Sequence, residues 1–257
     1  MRIVYNNLID ALESTAITPS SEYSTYYIEN VQDQRLTTRW ISDDATTQTV
    51  IFDLGATTST TVYAIAGHLL NSGCTVTVKG NDNISTSGGA LVWVASGESS
   101  TQSITYNAGI MLTFVNAISN RYWKFTFSGL TLPAEIGRLW IGNYVSLSPS
   151  SLDNFTVTKK RSDTVLYGRN RQKYASPGIG WREFDLSFPK SSSTMCTAIQ
   201  TLYDTVGNHS SVIFCNFDTL RGYEIVEPCY CSIEGDIAFN HQGQQNYNYT
   251  LKLAEDK

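Results

Sequence analysis

Four of the five cysteines, Cys196, Cys215, Cys229 and Cys231, stand in the last third of a 257-residue chain. Four thiolates are the ligand set of structural zinc and of iron–sulfur clusters. The spacing speaks for a simpler state. There is no C-x-x-C knuckle, and Cys229 and Cys231 are one residue apart, so on a strand they share one face. Cys196 follows Met195 at the start of a helical pattern, where a thiol packs as a small hydrophobe. The expected state is four buried thiols and no cofactor, with a four-cysteine zinc or iron–sulfur centre as the alternative.

A second cluster is basic. Lys159, Lys160, Arg161, Arg169, Arg171 and Lys173 place six of the chain's 18 basic residues within 15 positions. On a hairpin they form a positive arm. Such an arm suits contact with acidic patches on neighbouring subunits, or with DNA passing through a lumen; a solvated edge strand guarded by charge is the other reading. Subunit contact is the expectation, without specific nucleic-acid binding. Phe155, Tyr167 and Tyr174 alternate with the charges and suit cross-strand pairs.

A third cluster is aromatic. Tyr23, Tyr26, Tyr27 and Trp40 lie in a polar stretch near the N-terminus. Aromatic faces stack on sugar C–H groups while Asn, Arg and Asp fix hydroxyls. The three tyrosines are the better candidate glycan contacts; a protein–protein contact is the alternative.

Catalytic patterns are lacking. The sequence has no G-x-S-x-G, P-loop, G-x-G-x-x-G or H-E-x-x-H. His68, His209 and His241 lie near no Ser or Cys in a nucleophile–base pattern. Asp and Glu are scattered, so no pair is marked for glycoside hydrolysis. A non-enzymatic protein is expected.

The elements that must position these groups are mostly strands. TVIFDLG (49–55), CTVTVKG (74–80), ALVWVASG (90–97), GIMLTFV (109–115), RYWKFTFSG (121–129) and RLWIGNYVSL (138–147) are rich in β-branched and aromatic residues and are bounded by turn formers. Six short strands in this span predict an antiparallel sandwich. A polar break, SLSPSSLDN (146–154), predicts a domain boundary, giving domains 1–147 and 148–257. The second opens with FTVTKKRSDTVLYGRNRQKY as a predicted hairpin, followed by WREFDLSFP. One helix is predicted at about 192–206: Ser191–Ser193 offer a cap, Met195, Ile199, Leu202, Tyr203 and Val206 make an apolar stripe, and Gly207 and Asn208 supply the stop. Four strands follow it, ending in NYNYTLKLAE.

Charged residues are only 16% of the chain, against 41% hydrophobic and 12% aromatic. The two predicted domains carry net charges of −4 and −1, which argues against general nucleic-acid binding. No basic n-region precedes an apolar run and no stretch reaches membrane-span length, so cytoplasmic synthesis without a membrane partner is expected. A reducing compartment argues against a disulfide framework.

The stretches AITPSSEYSTYYIENVQDQRLTTRWIS, TVIFDLGATTSTTVYAIAGHLL and RYWKFTFSG with PAEIGRLWIG, in this order, resemble the discoidin (factor V/VIII type C) family of galactose-binding-like sandwiches over about residues 6–147. The resemblance implies a jelly-roll sandwich closed by Trp40. It also implies a calcium site with Asp33, Thr38 and Glu135 at the family's ligand positions. The order hairpin, WREFDLSFP, helix, strands is similar to the split β-barrel with one flanking helix of phage tail-tube and distal-tail proteins. Together these resemble minor tail or tail-tip proteins of long-tailed bacteriophages, some of which carry a four-cysteine cluster. That implies a structural virion protein, assembled as a homo-oligomeric ring with other tail proteins. Its sandwich would face a neighbour or a host surface glycan. The alternative is a carbohydrate-binding adhesin module without ring assembly.

Overall fold

The structure, a computed structural model, describes residues 1–87, 89–147, 155–167, 173–218, 223–241 and 246–256. The chain is mainly β and divides into two compact units, Val4–Tyr144 and Met1–Ile3 with Val145–Lys257. The predicted break at 146–154 lies mostly outside the described residues.

The strands up to residue 146 are β1 (Arg2–Tyr5), β2 (Ile17–Pro19), β3 (Trp40–Ile41), β4 (Gln48–Ala66), β5 (Thr75–Asn81), β6 (Ile84–Ser87), β7 (Ala90–Trp93), β8 (Gln102–Ile104), β9 (Met111–Ser128), β10 (Glu135–Ile136) and β11 (Arg138–Ser146). The order β11-β4-β9-β5-β8 makes one antiparallel sheet with β2 on β4, while β10-β3 and β6-β7 are separate ribbons. GIMLTFV and RYWKFTFSG, predicted as two strands, are one long strand β9, and TVIFDLG extends through YAIA as β4. Their pairing shifts register between Asp53 and Thr58 and again between Thr60 and Val62, with Gly55 at φ 77°. Bulges of this kind bend a strand without ending it.

The bend makes the sandwich. Phe125 pairs with Val50. Tyr63 lies far along the same strand as Val50, ~40 Å away if that strand were straight. Yet the Tyr63 ring is 6.5 Å from Phe125 and 5.2 Å from Trp123. The outer halves of β4 and β9 therefore fold back over the inner halves. Val50, Phe52, Tyr63, Ile65, Trp123, Phe125, Phe127, Leu139 and Ile141 bury their side chains between them. Trp40 closes this core as expected: it is fully buried, its ring 6.1 Å from Phe127 and its Nε1 donating to Ser21 O at 3.1 Å.

The second unit contains β12 (Phe155–Arg161), β13 (Thr164–Tyr167), β14 (Lys173–Ser176), β15 (Gly180–Ser192), α1 (Ser193–Val206), β16 (Ser211–Asp218), β17 (Tyr223–Ile233), β18 (Asn240–His241) and β19 (Asn246–Glu255). The helix forms where predicted. Ser192 Oγ accepts from Met195 N, Gly207 takes φ 56° at the stop, and Cys196, Ile199, Leu202 and Val206 make the buried face. It packs on β15 and β19. The described strands run β12-β15-β19-β17-β16 as an open antiparallel sheet with β18 on β19, and no β12–β16 pairing closes them into a barrel.

The hairpin predicted over 155–174 is not what forms. β12 pairs with β15, and β13 pairs with β14 as a separate ribbon. The reason lies at the neck. Ser162 N donates to Ile179 O (3.1 Å), Ile179 N to Ser162 Oγ (3.0 Å) and Gly178 N to Asp163 Oδ1 (2.6 Å). These bonds clamp 162–163 to 178–179, so β13 and β14 form a ribbon of their own and β12 pairs with β15.

Candidate functional site

A cleft of about 320 Å³ opens in the first unit, lined by Tyr23, Tyr26, Ile41, Ser42, Asp43, Leu132, Pro133 and Glu135. Three loops build it, and each is tied to the next by backbone bonds. Pairing of β3 with β10 sets Glu135 opposite Ile41. Tyr23 N donates to Ile41 O at 2.8 Å. Ser42 is wholly buried. Its N donates to Ala134 O (3.0 Å), while its Oγ accepts from Ala134 N (2.8 Å) and donates to Asp44 O (2.8 Å).

The tyrosines sit on a tight turn. Tyr26 N donates to Tyr23 O at 3.1 Å, with Ser24 at φ 56° inside the turn. That left-handed conformation is uncommon for a residue with a Cβ. It carries the two rings into near-parallel array, centroids 6.4 Å apart and planes 20° apart. Tyr23 is 53% and Tyr26 43% exposed, so about half of the two residues' surface is left to solvent. Tyr27 is also exposed but does not line the cleft.

Gln48, at the start of β4 and almost fully buried, holds the loops from beneath. Its Oε1 accepts from Ser20 Oγ (2.5 Å) and Ser21 Oγ (2.7 Å), and its Nε2 donates to Asp44 Oδ1 (2.7 Å). Two carboxylates reach the cleft. Glu135 pairs with Arg39 at 3.3 Å. Asp43 is exposed and has no ion-pair partner among the described residues; its backbone N is held by Ser21 Oγ at 3.2 Å. Apolar walls, stacked rings and oxygens of two carboxylates are the parts from which a site for a polyhydroxylated ring is made.

The positions assigned to calcium are arranged otherwise. Asp33 and Thr38 do adjoin, but both Asp33 oxygens are bound by the Arg35 guanidinium at 2.6–3.2 Å. Arg35, with help from Thr38, holds the Asp33 carboxyl down to about 2. Glu135 is committed to Arg39. Guanidinium groups thus supply the positive charge, and the oxygen-rich set a hard cation needs does not gather. No group of three or more His, Cys, Asp or Glu is placed to hold a metal among the described residues.

That holds for the cysteines too. Cys196 lies on α1, Cys215 on β16, Cys229 and Cys231 on β17, and all are buried free thiols, as is Cys74. Cys229 and Cys231 do share a face. The Cys229 thiol donates to Glu227 O at 2.9 Å; the neighbouring Cys231 thiol, with Arg182, pulls Cys229 below the usual thiol range, while Cys229 and burial push Cys231 well above it.

The basic run is split by the fold. Lys159, Lys160 and Arg161 lie on β12 opposite Arg182, Trp181 and Gly180. Lys160 pairs with Glu183 (3.2 Å) and Arg161 with Asp163 (3.0 Å). Lys173 is on β14, and Arg169 and Arg171 lie outside the described residues. A second, polar cleft of about 230 Å³ in this unit is lined by Asp236, Asn240, Asn248, Tyr249 and Lys252, among others.

No protein-family model matches the sequence, and no curated protein matches it. Among solved structures the chain is similar to chitosan-binding module 1 of a chitosanase/glucanase from Paenibacillus sp. IK-5. The TM-score is 0.41 at 15% identity, over 53% of this chain and 98% of the module. A fucose-binding module from Streptococcus pneumoniae is similar at TM-score 0.41 and 14% identity, over 54% of this chain and 95% of that one. The lectin domain of lectinolysin, solved with Lewis B antigen, is similar at TM-score 0.42 and 15% identity, over 54% and 96%.

Proposed function

We propose that the chain is a carbohydrate-binding protein that holds a glycan in the cleft of its first unit without turning it over. The observation that supports this reading is the exposed, stacked pair Tyr23–Tyr26 on the same cleft as Asp43 and Glu135. Tyrosine offers a large rigid face at low entropic cost. A sugar ring laid on it keeps its equatorial hydroxyls free to donate to the carboxylates. A glycan array followed by titration calorimetry tests the proposal. Binding that is lost in Tyr23→Ala/Tyr26→Ala supports it, and a protein that retains no glycan at all refutes it.

Assembly into a phage tail, with a ring and tail-protein partners, rests on the sequence resemblance alone. Light scattering over a range of concentrations decides it: closed oligomers favour the tail component, and a strict monomer favours the stand-alone adhesin.

A further inference from the structure

We infer that the cleft selects a cationic, free-amine sugar over neutral N-acylated and acidic ones. This rests on the carbohydrate-binding reading above and deepens it.

The argument is one of charge. The unit Val4–Tyr144 has six Lys and Arg residues and eleven carboxylates. Every one of the six cations is already paired: Arg35 with Asp33, Arg39 with Glu135, Lys79 and Lys124 with Glu98, Arg121 with Asp53 and Arg138 with Asp10. Glu13, Glu22, Glu29, Asp43, Asp44 and Asp82 stand outside these pairs. Asp43 lines the cleft, and Glu22 and Glu29 flank the tyrosine turn. Within this unit's described residues, the cation that pairs with a cleft carboxylate is Arg39, which is spent on Glu135. An acidic sugar therefore meets uncompensated like charge and no unpaired cation of this unit. An ammonium group finds the opposite: the Asp43 carboxylate for a charge-assisted hydrogen bond and two tyrosine faces whose quadrupoles attract a cation. Acylating the amine removes the charge and both interactions.

The test uses the whole chain and four probes of equal length: a fully deacetylated glucosamine oligomer, its N-acetylated counterpart, an oligouronate and oligolysine. Calorimetry is run at low and moderate salt. The free-amine oligomer is expected to bind at least about tenfold more tightly than the N-acetylated one, with an affinity that weakens as salt rises. The oligouronate is expected not to bind. Asp43→Asn is expected to remove most of the preference while its melting temperature stays unchanged, because the side chain is exposed. Asp43→Lys is expected to reverse it toward the oligouronate. Equal or tighter binding of the N-acetylated oligomer overturns the inference and leaves the carbohydrate-binding reading standing. Oligolysine binding as tightly as the amino sugar overturns it by showing charge attraction without sugar recognition. Failure of all three sugars to bind overturns the inference, and the glycan array then decides the carbohydrate-binding reading, which falls only if no glycan is retained.

Discussion

A tyrosine in a loop is worth noticing when its ring has been placed rather than left loose, and Tyr23 and Tyr26 are placed by a turn that forces Ser24 into a left-handed conformation. Each ring that anchors a ligand is expected to cost more than ~1 kcal/mol of binding when truncated to alanine, a loss of about fivefold or more. Tyr27→Ala, outside the cleft, should leave affinity within about twofold, and calorimetry on the three single variants separates them. His68 is the residue whose ionisation the fold opposes. Its Nε2 faces Asn107 O at 2.9 Å and its Nδ1 accepts from Leu70 N at 3.3 Å, which fixes the neutral ring. Burial, with Arg39 nearby, lowers its pKa from the ordinary 6.5. A histidine with a lowered folded pKa contributes stability that is full above the unfolded value and is lost as pH falls below it. Unfolding measured from pH 7 down to pH 5 should therefore show a loss of stability that His68→Asn flattens. Asp10, pushed up to about 6 by burial against the pull of Arg138, acts in the opposite sense, so the comparison between variant and parent is the informative quantity.

Elements set the cleft as much as residues do. Its outer loops are separated by about a hundred positions and are joined where the two-residue strands β3 and β10 pair and where Ser42 and Ala134 exchange hydrogen bonds. Gln48 braces them from β4. Gln48→Leu leaves Ser20, Ser21 and Asp44 without their buried partner and should cost ~1–3 kcal/mol of stability in urea unfolding, with weakened ligand affinity alongside. Gly137, just after β10, is another fixed point: a Cβ there would meet Leu36 O at 2.5 Å. Backbone cannot yield as a flexible side chain does, so Gly137→Ala should destabilise by ~1–3 kcal/mol and disturb the same pairing.

At the scale of the whole molecule, the first unit has a principal core of its own. Its principal cluster draws every member from residues 9–141. A fragment of residues 4–144 is therefore expected to melt cooperatively and to keep the chain's glycan affinity within about twofold; a fragment that is unfolded in solution would refute this. The five thiols are all buried and should react with a thiol reagent only as the protein unfolds, with kinetics that follow denaturant concentration.

Period-two alternation and turn residues were enough to read a mainly β chain and a capped helix, because those signals are local: strand faces and caps depend on residues within a few positions. The tyrosine cluster was legible for the same reason, while the core place of Trp40 was implied by the family resemblance. The joining of two predicted strands into β9 was not, since a bulge is decided by the partner strand across the sheet. Nor was the fate of the basic run, which turned on four residues, Ser162, Asp163, Gly178 and Ile179, meeting at a neck. Asp43, Leu132 and Pro133 carried no mark of their own; the β3–β10 pairing and the Ser42–Ala134 and Tyr23–Ile41 bonds bring them beside the tyrosines. Arg35 and Arg39 were visible next to the calcium candidates, but only side-chain geometry shows their guanidinium groups taking the carboxylates. Composition and periodicity determine which residues are buried and which strands form, because burial and backbone pairing are averaged over many positions. The binding cleft depends on a few contacts between distant loops, and those the tertiary structure alone decides.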